Sequence, residues 1–274
     1  KNFFNSRFVN QEHRTVRSDG ETLIDTQTSY AVALALGAFA DEVVSDAKRY
    51  LVEAVSRQNL DDQGILRPAY SLMTGFIGTA WISTALSNAG ADGEAYRLLQ
   101  QTDYPSWLYP VIHGATTIWE RLDGFTAENG FGGHNGMNSF NHYSFGAVGQ
   151  WLIAHSLGIQ RDEEHPGFKH FYLKPTPDPD RQMAYARGWY KSVYGKIESC
   201  WHYANDGLII HATVPPNTTA TIYLPAAQKE AVIESGVPAE QAPGVTFVEI
   251  KDGKTVFHLQ PGSYRFSITQ SKTG

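Results

Sequence analysis

The sequence predicts two regions of different class, a series of α-helical hairpins over residues 1–163 and an antiparallel β-sandwich over residues 164–274. Two observations separate them. Apolar residues recur every three or four positions through the first region. Beyond it they alternate in short runs, with Asp-Gly turn signals at Asp206-Gly207 and Asp252-Gly253. A third observation supports the change: in Lys174-Pro175-Thr176-Pro177-Asp178-Pro179 the three prolines forbid a helix.

The helical elements follow in order. Leu23 to Phe39 carries Ala31, Leu34, Ala35 and Ala38 on one face. Asp41 can cap a second helix in which Val44, Ala47, Leu51 and Ala54 recur. Phe76 to Ala89 reads as a third helix, with Trp81, Ala85 and Leu86 inside and Gly90 as its stop. Asp92 can cap a fourth containing Ala95, Leu98 and Leu99. A fifth is expected from Thr116 and Thr117, and a sixth over Tyr143 to Leu157, closed by Gly158. In the second region, Trp201 to Tyr203 pairs with Leu208 to Ile210, and Thr246 to Ile250 with Thr255 to Leu259. Thr219 to Leu224 and Ser263 to Ile268 read as further strands. Serial helical hairpins joined by long loops suit an α/α toroid. Two long connections, Gln100 to Ala115 and Arg121 to His142, are of the kind that builds a site.

Composition narrows the function. A net charge of −6 without a Lys/Arg run argues against a nucleic-acid surface. No apolar run reaches the length of a bilayer span. The single cysteine, Cys200, excludes an internal disulfide and a cysteine-based zinc site, and leaves bacterial cytoplasm or periplasm open. It falls in an expected strand and should be buried. The chain opens on Lys1 within an ordinary folded segment, which suggests a processed or truncated product.

Three stretches carry polar or aromatic chemistry. Asp103 to Pro110 concentrates aromatics, and a sugar ring could stack on Trp107 or Tyr109; the same rings could equally plug the helical core. Glu120 follows Thr116 and Thr117 by about one helical turn, where a carboxylate can also serve the helix dipole or pair with Arg121. Asp123, Glu128, the glycine-rich Gly130 to Gly136 with His134 and Asn135, and Asn138 to Tyr143 follow, as befits a site for a polyhydroxylated ligand. His142 can donate to a sugar hydroxyl or act structurally. The spacing of His134 and His142 fits no standard metal motif, and no nucleophilic serine motif is present. No metal or cofactor is expected.

Taken together, Thr74-Gly75-Phe76, Tyr104 to Trp107, Gly114 to Arg121 and Ser139 to Tyr143 resemble glycoside hydrolase family 78, the α-L-rhamnosidases. Asp25 to Thr28, Pro166 to Phe171 and Val214 to Ala220 continue the resemblance. It implies the C-terminal half of an (α/α)6 toroid followed by a β-sandwich. It also implies hydrolysis of terminal α-L-rhamnose with inversion, in which two carboxyl groups stand roughly 6.5–9.5 Å apart. Glu120 matches the family's general base, and His142 matches a rhamnose contact. Trp107, Trp119 and Asn141 are carried over as substrate-binding residues. The family's general acid, in an Asp- and Arg-containing motif, has no counterpart here, and only half of the toroid's helices are accounted for. The chain alone is therefore expected to be inactive, with an apolar face covered by a missing N-terminal part or a second chain. The expected substrate is a rhamnose-containing glycoside or polysaccharide. Two alternatives stand beside this: a different glycosidase or glycoside phosphorylase on the same toroid, or a non-catalytic carbohydrate-binding or structural module.

Overall fold

A computed structural model describes residues 1–131, 138–205 and 207–269. The expectations placed on Gly132 to Gly136, including His134 and Asn135, and on Asp206 lie outside the described residues. The chain divides into two compact units, Lys1–Gly149 and Gln150–Gly274.

The first unit is helical. A short α1 (Asn2–Phe8) precedes α2 (Gln27–Ala35). Thr26 caps α2: its side chain accepts from Ser29 N–H, while Ser29 Oγ accepts from Thr26 N–H, each at 3.2 Å. The buried face of α2 is Gln27, Tyr30, Ala31 and Ala33, displaced from the predicted Ala31, Leu34, Ala35 and Ala38. The large Tyr30 ring packs between Phe39 and Tyr50 and draws the helix round to that face. Helix α3 (Asp41–Ser56) buries Val43, Ala47, Tyr50, Leu51, Ala54 and Val55, an unbroken period of three and four. Asp41 is its first residue rather than its cap, and its carboxylate pairs with Lys1 at 2.8 Å.

A two-stranded turn, β1 (Asn59–Leu60) with β2 (Leu66–Arg67), leads to α4 (Gly75–Thr79) and α5 (Ile82–Asn88). These two replace the single helix predicted over Phe76 to Ala89, and Trp81 at the break is exposed rather than internal. Gly78 explains the separate placement of α4: a Cβ there would lie 2.2 Å from Thr28 Oγ1, so α4 approaches α2 closely through a residue without a side chain. Gly90 (φ +80) ends α5 as expected. Helix α6 (Asp92–Gln100) is capped by Ala91, with Asp92 inside its first turn, and α7 (Leu108–Ile112) follows. Buried Gln27 ties these parts together. Its amide donates to Ser71 O at 2.9 Å and to Ala54 O at 3.3 Å, and it accepts from Met73 N–H at 3.0 Å.

Residues 115–131 form no helix, against the expectation for Thr116 onward. Cross-chain pairing prevails there: Glu120 N–H donates to Ser139 O and His142 N–H to Ile118 O, both at 2.8 Å. The β-branched run Thr116-Thr117-Ile118 disfavours a helix there. The sixth predicted helix is likewise interrupted. A 3-10 turn (Ser144–Ala147) runs into α8 (Val148–Trp151) and then a π turn (Leu152–Ser156), in a stretch weakened by Gly146 and Gly149.

The second unit is a β-sandwich. Its strands are β3 (Ile159–Arg161), β4 (His170–Leu173), β5 (Tyr185–Ser192), β6 (Gly195–Ala204), β7 (Gly207–Val214), β8 (Thr219–Leu224), β9 (Val232–Glu234), β10 (Val237–Pro238), β11 (Val245–Lys251), β12 (Lys254–Leu259) and β13 (Gly262–Thr269). One sheet has the order β10-β9-β13-β7-β6-β5 and the other β11-β12-β8-β4-β3. All pairs are antiparallel except β4 with β8. Both predicted hairpins form, β6–β7 and β11–β12. In the second, Asp252 (φ 50) and Gly253 (φ 70) supply the two left-handed residues of the tight turn. Alternate residues point inward, as in β7, where Leu208, Ile210, Ala212 and Val214 are buried. Phe257 and Phe266, from opposite sheets, stack at 6.4 Å in the core. Cys200 on β6 is only partly buried, and burial pushes its thiol up from the ordinary value.

Candidate functional site

The paired segments 118–120 and 139–142 bring Glu120, Asn141 and His142 into one region. Ser139 N–H donates to Glu120 Oε2 at 2.8 Å, while Ser139 O accepts the Glu120 N–H. This reciprocal pair fixes the carboxylate against the backbone of the facing segment. Thr117 Oγ1 donates to Phe140 O, a further tie between the segments.

His142 has defined surroundings. Its ring stacks on Phe76 at 4.8 Å and lies nearly parallel to Tyr143 at 5.5 Å. Ser144 N–H donates to His142 Nδ1 at 3.4 Å, a long bond in which Nδ1 serves as acceptor. Asn141 is exposed, with its backbone N–H directed to Ser139 Oγ at 3.2 Å.

The two tryptophans are buried. Trp119 meets Phe140 edge to face at 5.1 Å. Trp107 is 7% exposed and donates its ring N–H to Phe145 O at 2.8 Å. Phe145 in turn packs edge to face against Phe76 at 5.4 Å. Trp107 is thus linked to His142 through Phe145 and Phe76, in the packing arrangement rather than as an open stacking surface. Around it, Tyr104 meets Tyr109 at 5.4 Å and Tyr109 meets His113 at 4.5 Å. Arg121 lies 3.6 Å from Asp123, not on Glu120.

Sequence reasoning singled out neither Phe76 nor Ser139 as a site residue. Phe76 sits at the start of α4, is 43% exposed and supports the imidazole. Its signal was the Thr74-Gly75-Phe76 motif. Ser139 opens the Ser139 to Tyr143 motif, but its tie to Glu120 depends on a partner nineteen residues away. Among the described residues, the grouping of side chains suited to hold a metal is Asp162, His165 and His170, on the second unit.

A model of the bacterial alpha-L-rhamnosidase six-hairpin glycosidase domain matches residues 1–155, and one of the bacterial alpha-L-rhamnosidase C-terminal domain matches residues 158–237. An alpha-L-rhamnosidase of Streptomyces avermitilis is 34% identical over 253 residues, covering 92% of this chain and 22% of the relative. One from Formosa agariphila is 32% identical over 271 residues, covering 99% of this chain and 27% of the relative. The crystal structure of the Streptomyces avermitilis enzyme complexed with L-rhamnose superposes with a TM-score of 0.80 at 31% identity, over 98% of this chain and 23% of that one. The chain therefore spans about a quarter of the length of these curated relatives. It belongs to the bacterial alpha-L-rhamnosidase six-hairpin glycosidase family. Its fold is accordingly that of part of a six-hairpin toroid followed by a β-sandwich.

Proposed function

We propose that this member of the α-L-rhamnosidase family contributes the general base of an inverting enzyme that removes terminal α-L-rhamnose from glycosides or polysaccharides. The observation that carries the reading is the two-way hydrogen bonding between Glu120 and Ser139. A base that activates water must hold one orientation through the reaction. A carboxylate anchored by a backbone N–H at 2.8 Å meets that need better than a free surface side chain.

Around it, His142 offers Nε2–H as a donor to a sugar hydroxyl, with Phe76 holding the ring plane. Asn141 is exposed beside it and adds an amide suited to a polyol. Trp107 and Trp119 act from behind, keeping Phe145 and Phe140 in place. The proton donor is supplied from outside this chain, by the remainder of the enzyme or by a second chain. The same partner covers apolar side chains that the first unit leaves exposed, among them Ile77, Val111, Ile112 and Ile118.

The test is hydrolysis of an aryl α-L-rhamnoside by the intact enzyme. Glu120→Gln should lower turnover by about 10²- to 10⁴-fold with rhamnose binding largely retained. Anomeric NMR should show β-L-rhamnose as the first product, at a rate independent of phosphate. Near-normal turnover of the variant would refute the role of Glu120. Phosphate dependence would move the reaction to the phosphorylase class.

A further inference from the structure

On the second unit, Asp162 directly follows β3 and His170 opens β4, the strand paired antiparallel to it. The chain turns back between them through Pro166–Phe168, with Gly167 (φ 76) and Phe168 (φ 65) both left-handed. The turn brings His165 to the same place. His165 Nδ1 lies 2.7 Å and His170 Nδ1 2.8 Å from Asp162 Oδ2. The three ligand-type atoms all fall within 4.8 Å of one another.

We propose that Asp162, His165 and His170 form a binding site for a divalent cation of the zinc class, with the fourth position taken by water. Two imidazoles and one carboxylate are a donor set that suits zinc. Ligand atoms about 2.0–2.2 Å from a tetrahedral zinc stand about 3.3 Å from one another. The two histidine–aspartate separations must therefore open by roughly half an ångström to admit the ion. His165, half-exposed on the turn, can make that movement, whereas His170 and Asp162 are held in the fold.

The surroundings fit a metal site in two further respects. His170 Nε2 lies 3.0 Å from Thr221 Oγ1 on β8. With Nδ1 on the ion, Nε2–H donates to that hydroxyl and fixes the ring, the usual outer support of a ligating histidine. The cluster also borders an open cavity of about 710 Å³, whose wall includes Glu164 and His258. His258 stacks parallel to His170 at 6.2 Å. The one ammonium group in that wall, Lys169, donates to Asn217 O and lies over the Tyr194 ring.

The competing arrangement is a metal-free cluster in which both imidazoles donate to Asp162. Calorimetric titration of the chelator-stripped chain with Zn²⁺ separates the two. The metal site requires one equivalent bound per chain and a rise in melting temperature. Co²⁺ in place of Zn²⁺ should show the visible absorption of a four-coordinate nitrogen and oxygen site. His165→Ala and Asp162→Asn should each weaken zinc binding at least about tenfold, and Thr221→Val, nearly the same shape, by about 10- to 100-fold. His165 is exposed enough for its variant to fold, which far-UV circular dichroism would check. No zinc heat and no thermal shift would overturn the proposal. So would zinc binding undiminished in His165→Ala, which would locate the ion on other histidines. None of these readouts depends on glycosidase activity.

Discussion

Glu120 and Ser139 hold each other by two hydrogen bonds of equal length, 2.8 Å, one through the Glu120 backbone and one through its side chain. The carboxylate therefore has a structural duty beside any chemical one, and substitutions can separate the two. Glu120→Gln keeps an oxygen able to accept from Ser139 N–H. Glu120→Ala does not. In chemical denaturation the Ala variant should lose about 1 kcal/mol or more and the Gln variant appreciably less. Equal losses would show that the side-chain bond adds nothing to the loop.

Gly158 and Gly188 should differ sharply when changed to alanine. A Cβ on Gly158 would lie 2.1 Å from both Lys174 C and Pro175 N, and its φ of +74 already disfavours a side chain. Backbone cannot give way as a side chain can, so the loss should be about 3–5 kcal/mol. A Cβ on Gly188 would meet Leu157 Cδ1 at 2.4 Å, a flexible side-chain end, and should cost about 1–3 kcal/mol. Urea unfolding followed by the fluorescence of buried Trp201 would rank them.

Asp25 sets an acid limit on the stability of the first unit. Burial raises its pKa, but hydrogen bonds from Tyr30, Arg57 and Arg14 outweigh that and hold it below the ordinary value. A depressed carboxyl stabilises the fold fully above its unfolded value, about 3.9, and loses that contribution as pH falls from there through the lower folded value. Unfolding free energy should therefore drop in acid below about pH 4. Asp25→Asn should be less stable at pH 6 with a flatter acid limb. An unchanged acid limb in that variant would rule the residue out as the cause.

The exposed apolar side chains of the first unit should make the chain sticky by itself. Ile77 is 72% and Ile112 61% exposed. Light scattering should detect self-association, or an apolar dye should bind. Ile77→Glu with Ile112→Glu should reduce both without altering the circular dichroism spectrum. A monodisperse monomer that binds no dye would mean that these residues do not form a partner surface.

How much of this was legible in the sequence follows from how local each feature is. Helix α3 was legible because one face repeats over four turns, and the β11–β12 hairpin because Asp252-Gly253 itself specifies the turn. The stretch from Thr116 to Arg121 was misread as a helix start. Two threonines ahead of a glutamate imitate a cap, and the pairing with residues 139–142 that overrides it cannot be seen locally. Trp81 looked internal for the same reason: a helical period assumes one continuous helix, and the chain breaks beside it. Glu120, Asn141 and His142 could be proposed from motifs. The ties of Glu120 to Ser139 and of His142 to Phe76 required the fold. The Asp162, His165 and His170 grouping is not legible in the sequence because a turn with two left-handed residues, not a sequence spacing of known type, closes it.

The parallel pairing of β4 with β8 has a consequence for how the chain comes together over time. His170 to Leu173 pairs with Thr219 to Ile222, so β4, near the start of the second unit, must wait for a strand made much later. During synthesis β3 and β4 would leave the ribosome as a short hairpin, with one edge open until Leu224 has emerged. Such non-local closure is slow to form. Nascent chains arrested before β8 are therefore the ones in which an unpaired β4 edge would be open to pairing with another chain.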